Sequence, residues 1–157
     1  MINIRAKLLF FLTFLLFQAN LSAQQLWSKV KQYDQSHQQL KSLKQFEILQ
    51  LDVNTLKNKL APKSINSKQI IELPVDEQML AFEIKEYTMM ESMLANKYPR
   101  LSTYYGYALE DHNIQVRLNW NSNHLYVYIN TSQKTILIDP LKGNETFYVE
   151  WINQNCF

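Results

Sequence analysis

The alternation in the C-terminal half of this 157-residue chain is its strongest constraint on fold. In Ile114-Gln115-Val116-Arg117-Leu118-Asn119-Trp120 every even position is apolar and every odd one polar or charged. A period of two sends successive side chains to opposite faces of an extended strand, so this run predicts a strand with one buried face. Similar strand-forming runs recur over Thr103–Leu109, His124–Asn130, Thr135–Asp139 and Thr146–Trp151. Short turns separate the first three, at Glu110-Asp111-His112-Asn113 and Asn121-Ser122-Asn123. Strands joined by such turns become antiparallel neighbours, which predicts a meander. Only two glycines, Gly106 and Gly143, are present, so Asn, Asp and Ser must form most of the turns.

Upstream the pattern is mixed. Phe46–Leu51 reads as a strand, and Asp52 sits where it would cap a short helix through Val53, Leu56 and Leu60, stopped by Pro62. Ile70, Ile71 and Leu73 predict a second strand, closed by Pro74. Leu80, Phe82 and Ile84 alternate with Glu83 and Lys85 in a half-buried strand. Met89–Asn96 predicts another short helix, with Pro99 just beyond it. Residues 24–45 are polar and rich in Gln. Leu26, Val30, Tyr33, His37 and Leu40 fall there at near-heptad spacing, which permits an amphipathic helix; a partly ordered lead-in arm fits equally well. The expected fold class is α+β, mostly antiparallel β meander with two short helices, in a single domain over 46–157.

The N-terminus has the three-part order of a secretory signal. Arg5 and Lys7 precede the apolar run Leu8–Phe17, and Gln18–Ala23 follows with small and polar residues. Ten residues at about 1.5 Å each span roughly half a hydrocarbon core, too little for a membrane anchor. Cleavage is expected between Ala23 and Gln24, with residues 1–23 removed, and no Cys follows to carry a lipid. The expected destination is the periplasm or the extracellular space, with no membrane attachment after cleavage. Taking Arg5 and Lys7 from the 16 basic residues leaves 14, equal to the 14 acidic ones, so the mature chain has a formal charge of zero. Without a basic excess there is no phosphate-neutralising surface, and nucleic acid is not an expected partner.

Catalytic and metal motifs are missing from the sequence. His37, His112 and His124 are far apart in the chain, and H-E-x-x-H does not occur. Two glycines cannot build a P-loop, a dinucleotide fingerprint or a G-x-S-x-G elbow. The acid pairs Asp76-Glu77 and Glu110-Asp111 fall in expected turns, where solvated carboxylates are the rule; glycoside hydrolysis needs two facing across a cleft. The expectation is therefore no catalytic residue, no resident metal and no cofactor. Cys156, the single cysteine, rules out an intrachain disulfide. It can be a free tail thiol, an intermolecular disulfide partner, or a thiolate ligand to zinc in another protein. Tyr104, Tyr105 and Tyr107 could make an adhesive surface, although alternation turns part of that cluster inward.

Several segments also follow a known order. Gln25-Leu26-Trp27 comes first, then Leu49-Gln50-Leu51-Asp52 through Leu56-Lys57 to Ala61-Pro62, and Ile70-Ile71-Glu72-Leu73-Pro74. Phe82-Glu83-Ile84-Lys85-Glu86, Met90-Glu91, Leu94–Pro99 and Ser102–Gly106 come next. Val116-Arg117-Leu118 and Ile136-Leu137-Ile138-Asp139-Pro140 complete the series. In order and spacing this resembles the N-terminal prodomain of bacterial secreted, reprolysin-like zinc metallopeptidases, over nearly all of residues 25–151. The resemblance implies a non-catalytic prodomain-like module whose partner is a secreted zinc metallopeptidase, as folding assistant or keeper of latency. No zinc-binding catalytic domain follows in the sequence, which implies a truncated or split gene product, or a free-standing relative acting in trans. The alternative is an exported binding or surface-interaction protein with no protease partner.

Overall fold

A computed structural model describes residues 25–34, 37–61, 67–87 and 101–153. The leader, the expected helix over Met89–Asn96 and Cys156 lie outside them. The described chain is mostly antiparallel sheet, as the alternation predicts. Its strands are β1 (Trp27–Lys29), β2 (Phe46–Leu51), β3 (Gln69–Val75), β4 (Gln78–Glu86), β5 (Ser102–Ala108), β6 (Gln115–Trp120), β7 (Leu125–Asn130), β8 (Thr135–Pro140) and β9 (Phe147–Asn153). They form one sheet in the order β1-β2-β9-β8-β7-β6-β5-β4-β3, with every neighbouring pair antiparallel. β3 to β9 are the meander, and β2 returns to pair outside β9.

The sheet curls nearly into a barrel. A single buried cluster takes inward side chains from every strand, among them Trp27, Leu49, Ile71, Phe82, Tyr104, Val116, Val127, Ile136 and Tyr148. A flat nine-stranded sheet could not bring those residues together. At Gly106 two neighbouring strands approach too closely for a side chain. It faces Ile84 across β4 and β5, and a Cβ there would lie 1.9 Å from the Glu83 carbonyl oxygen. Only glycine allows the two backbones this approach.

The one described helix, α1 (Val53–Leu60), carries the chain from β2 to the opposite sheet edge, β3. Asp52 caps it as expected: Oδ1 accepts from the Asn54 and Thr55 backbone N–H groups at 3.0 Å each, and Oδ2 accepts from the Thr55 hydroxyl at 2.7 Å. The Thr55 backbone N–H, foremost among these, holds the Asp52 carboxyl below its ordinary value. Leu56 and Leu60 lie in the core, and the Tyr104 hydroxyl donates to the Leu60 carbonyl at 3.5 Å.

Two boundaries differ from the sequence reading. Pro74 does not close its strand, because β3 continues to Val75 with Pro74 opposite Met79. β3 is an edge strand, where a missing N–H costs no ladder bond on the open side. Of the two readings of the near-heptad segment, the helix does not occur among its described residues, 25–34 and 37–45. Trp27–Lys29 is a strand on β2, and successive turns follow, with Leu40 N–H donating to the His37 carbonyl at 3.0 Å and Leu43 N–H to that of Leu40 at 3.1 Å. These turns lay Val30, Tyr33, Leu40 and Leu43 over the outer face of β2 and β9 against Ile48 and Val149. The apolar spacing marked residues that cover a sheet, and the lead-in segment is packed into the domain.

Polar side chains make the turns that glycine would otherwise make. Asn121 Oδ1 accepts from the N–H groups of Asn123 (3.1 Å) and His124 (2.7 Å), and Asn144 Oδ1 from those of Thr146 (2.9 Å) and Phe147 (3.0 Å). Asp111 Oδ1 accepts from Asn113 N–H at 2.9 Å. Asp76 and Glu77 form the two-residue β3–β4 turn with φ of 51° and 67°, the primed geometry that suits a twisted hairpin.

Tyr148 is a second internal support. It is fully buried, its ring meets Trp27 edge-on at 5.4 Å, and its hydroxyl accepts from Leu125 N–H at 3.1 Å. Tyr148→Phe strands that buried N–H, and a loss of about 1–2 kcal/mol is expected in urea unfolding. A loss under a few tenths would show that the amide finds another acceptor.

Candidate functional site

Alternation along β4–β7 leaves an aromatic and basic outer face. Tyr104 points into the core, while Tyr105 and Tyr107 point out, so the tyrosine cluster divides as the pattern implies. Across the strands, Lys85, Tyr105, Arg117 and Tyr128 are in register. Tyr105 is the centre of a ring series. Tyr87 meets it edge-on at 5.6 Å and Tyr107 at 6.3 Å, and His112 extends the series from Tyr107 at 6.0 Å. Lys85 Nζ sits 4.8 Å from the Tyr105 ring centre, a cation–π contact. Its ammonium is held above its ordinary value, first by its hydrogen bond with the Tyr105 hydroxyl. A surface hollow of about 440 Å³ runs between Tyr87, Tyr105, Tyr107, Gln115, Arg117 and Asn130. Tyr107 is 40 % exposed and Tyr87 50 %.

A second site lies where one end of the barrel meets the β3–β4 turn. Glu47 of β2 and Glu150 of β9 are paired directly across the strands, on the inner face with Leu49 and Tyr148. Beyond Tyr148 the inner face therefore changes from apolar to acidic. Asp76 and Glu77 in the turn share a cavity of about 470 Å³ with Glu47 and Glu150. Phe46, Trp151 and Ile152 supply apolar wall, and Lys44 and Gln45 also line it. Lys29 Nζ lies 3.0 Å from Glu47 Oε1 and 2.9 Å from Oε2. Lys134 pairs with Asp76, tying the β3–β4 turn to the β7–β8 turn. Glu150 is only 8 % exposed and its Oε2 has no hydrogen-bond partner. Burial, then the charges of Glu47 and Asp76, push its carboxyl up to about 7. The Asp76 backbone N–H and Lys29 oppose that rise without cancelling it.

The sequence reading missed Glu150. The available signal was register: in Tyr148-Val149-Glu150-Trp151-Ile152 the acid shares the inward face with Tyr148. Asp76-Glu77 does occupy a turn, as expected, but that turn closes on two further carboxylates instead of standing alone in solvent. Glu110 and Asp111 are exposed.

The three histidines stay apart. His37 Nε2 donates to the Lys142 carbonyl at 3.1 Å, His112 stands beside Tyr107, and His124 ends the β6–β7 turn. No group of three His, Cys, Asp or Glu among the described residues could hold a metal ion. Ala23 and Gln24, at the expected cleavage point, and Cys156, the candidate zinc ligand in trans, lie outside the described residues. No protein-family model matches the sequence, and comparison with curated proteins and with solved structures finds no match either.

Proposed function

We propose that this chain is an exported, non-catalytic binding module of the prodomain kind, docking on a secreted zinc metallopeptidase to assist its folding or hold it latent. The partner class comes from the ordered segments between Leu26 and Pro140 that resemble such prodomains. The observation that carries the binding role is the outer face of β4–β7, with Tyr105, Tyr107, Arg117 and Tyr128 on a curled, densely paired sheet. Tyrosine and arginine are the residue types that dominate binding energy at protein interfaces, because they combine large contact area with directed polar groups. Sheet pairing fixes their backbone in advance, so little ordering entropy is lost on docking. A module that binds the folded peptidase and not its unfolded chain stabilises it by that difference in affinity.

The test is capture from the exported fraction with the mature domain, alongside a Tyr107→Ala/Arg117→Ala double variant. A chelator-sensitive peptidase should be retained by the wild type and lost with about a tenfold or greater fall in affinity in the variant. Neither side chain is in the core, so unfolding curves of the two proteins should coincide within about 0.5 kcal/mol. Capture of a different protein through the same two residues would transfer the chain to the class of surface-interaction proteins. Undiminished peptidase capture by the variant would remove the role of this face.

A further inference from the structure

We infer that the acidic barrel mouth is a binding site for an organic cation: the guanidinium or ammonium head of a basic side chain from another polypeptide, received by Glu150 and Glu47 with Asp76 and Glu77 around it. This assignment is independent of the identity of any protein docked on the tyrosine face, since the two sites use different residues.

The argument begins with unequal charge matching. Glu47 has Lys29, and Asp76 has Lys134. Among the described residues no ion pair reaches Glu150 or Glu77. A buried carboxylate oxygen without a donor is costly, and proteins normally bond or replace such a group. Here Glu150 sits opposite a second carboxylate, with a third and fourth in the adjoining turn, an arrangement that opposes ionisation unless a positive charge arrives. A guanidinium or ammonium supplies both that charge and several N–H donors, and charge-assisted bonds of this kind are the stronger ones. Metal is a poorer occupant, because among the described residues no three of these or any other Asp, Glu, His or Cys side chains are placed to hold one ion.

Shape agrees with the charge. A cavity of about 470 Å³ is within the roughly 300–1,000 Å³ range of specific ligand sites. Phe46, Trp151 and Ile152 offer apolar surface to the methylene stem of a lysine or arginine. Phe46 and Trp151 reach the rim from the outer face, where they pack with Ile48 and Val149, and the Trp151 indole N–H donates to Asp139 Oδ2 at 3.0 Å. The rim is formed by the exposed Lys44–Gln45 segment and the exposed Asp76–Glu77 turn, where a side chain from outside can enter.

A proton competes for the same place. The groups facing Glu150 are Glu47 from β2, Asp76 and Glu77 from the turn, and Lys29 from β1, with Lys44 at the rim and Lys134 behind Asp76. Since Glu150 keeps its proton to about pH 7, cation binding should strengthen as pH rises.

Amide and indole resonances of the ¹⁵N-labelled mature domain can be followed during titration with N-acetyl-arginine amide, N-acetyl-lysine amide and uncharged N-acetyl-norleucine amide. Saturable shifts around Glu47, Glu150 and the Trp151 indole are expected at pH 8.5 with both cations. They should weaken about tenfold at pH 5.5 and about tenfold in Glu150→Gln, which keeps the side-chain shape and removes a buried charge. Methylguanidinium, the head without its stem, should bind about tenfold more weakly; equal binding would remove the side-chain assignment. Equal shifts with the norleucine probe, undiminished binding in Glu150→Gln, saturable binding of calcium chloride, or no shift with any probe would each overturn the proposal.

Discussion

Glu150→Gln is expected to stabilise the domain at pH 8 and to leave it almost unchanged at pH 4. The native carboxyl holds its proton up to about pH 7, whereas the ordinary glutamate value is 4.5. Between those values the folded chain binds a proton that the unfolded chain has already released. Stability is therefore greatest below the lower value and falls as pH rises through the window to about 7. At about 1.4 kcal/mol per pH unit, the loss above pH 7 comes to about 3 kcal/mol. Glutamine reproduces the neutral carboxyl and cannot ionise, so the variant keeps that stability at every pH. Urea unfolding at pH 4 and pH 8 should show near-equal proteins at the first and about 3 kcal/mol in favour of the variant at the second. Some slope must remain in both. Burial also raises Asp139, with the Trp151 indole N–H opposing it, while Asp52 is lowered and acts in the other direction. A variant as steeply pH-dependent as the parent would show that Glu150 is hydrated in the native state.

The expected gain has a functional counterpart. A residue that weakens its own fold at neutral pH is one that selection for stability alone would replace, and glutamine is an available replacement. A cation bound at the mouth would remove the penalty by pairing the charge. The same substitution should therefore raise stability and weaken cation binding about tenfold, two outcomes of opposite sign that general damage to the fold could not produce together.

How much of this was legible in the sequence depends on what each residue answers to. The strands from β5 to β9 were readable because their side chains face one core on one side, and period two records that directly. Asp52 was readable because capping is a local contact between a side chain and the next turn of its own helix. The Gln-rich segment stayed open between a helix and a lead-in arm because Leu40 and Val30 answer to Ile48 and Val149 on distant strands, and heptad spacing is one of many ways to place such residues over a sheet. Curling of the sheet was also invisible. It brings the β3–β4 turn to β9, across more than seventy residues of sequence, and only then do Asp76 and Glu150 become neighbours. For the candidate sites, the tyrosines were legible as a cluster, while the acidic mouth was not, since it exists only where the curled sheet brings the β3–β4 turn to β2 and β9.

Gly106→Ala should be the most damaging small substitution in the described chain. Its Cβ would lie 1.9 Å from the Glu83 carbonyl oxygen, 2.8 Å from that residue's carbonyl carbon and 2.9 Å from Ile84 Cα. All three are backbone atoms of β4, so no rotamer change can clear them. The strands must separate, and that breaks ladder bonds on both sides of Gly106 in the middle of β4 and β5. Overpacking in a well-filled core costs about 1–3 kcal/mol when side chains can move; here they cannot help, and a loss of at least about 3 kcal/mol is expected. Gly143→Ala provides the comparison. Gly143 has φ of 81° but open space around its Cβ position, so only the left-handed backbone penalty of about 1–2 kcal/mol applies. Gly106 also lies between Tyr105 and Tyr107, so spreading β4 from β5 should displace the outer face as well as the core. Unfolding curves for the two variants decide the matter: a cost at Gly106 no greater than at Gly143 would mean that β4 and β5 do not approach this closely.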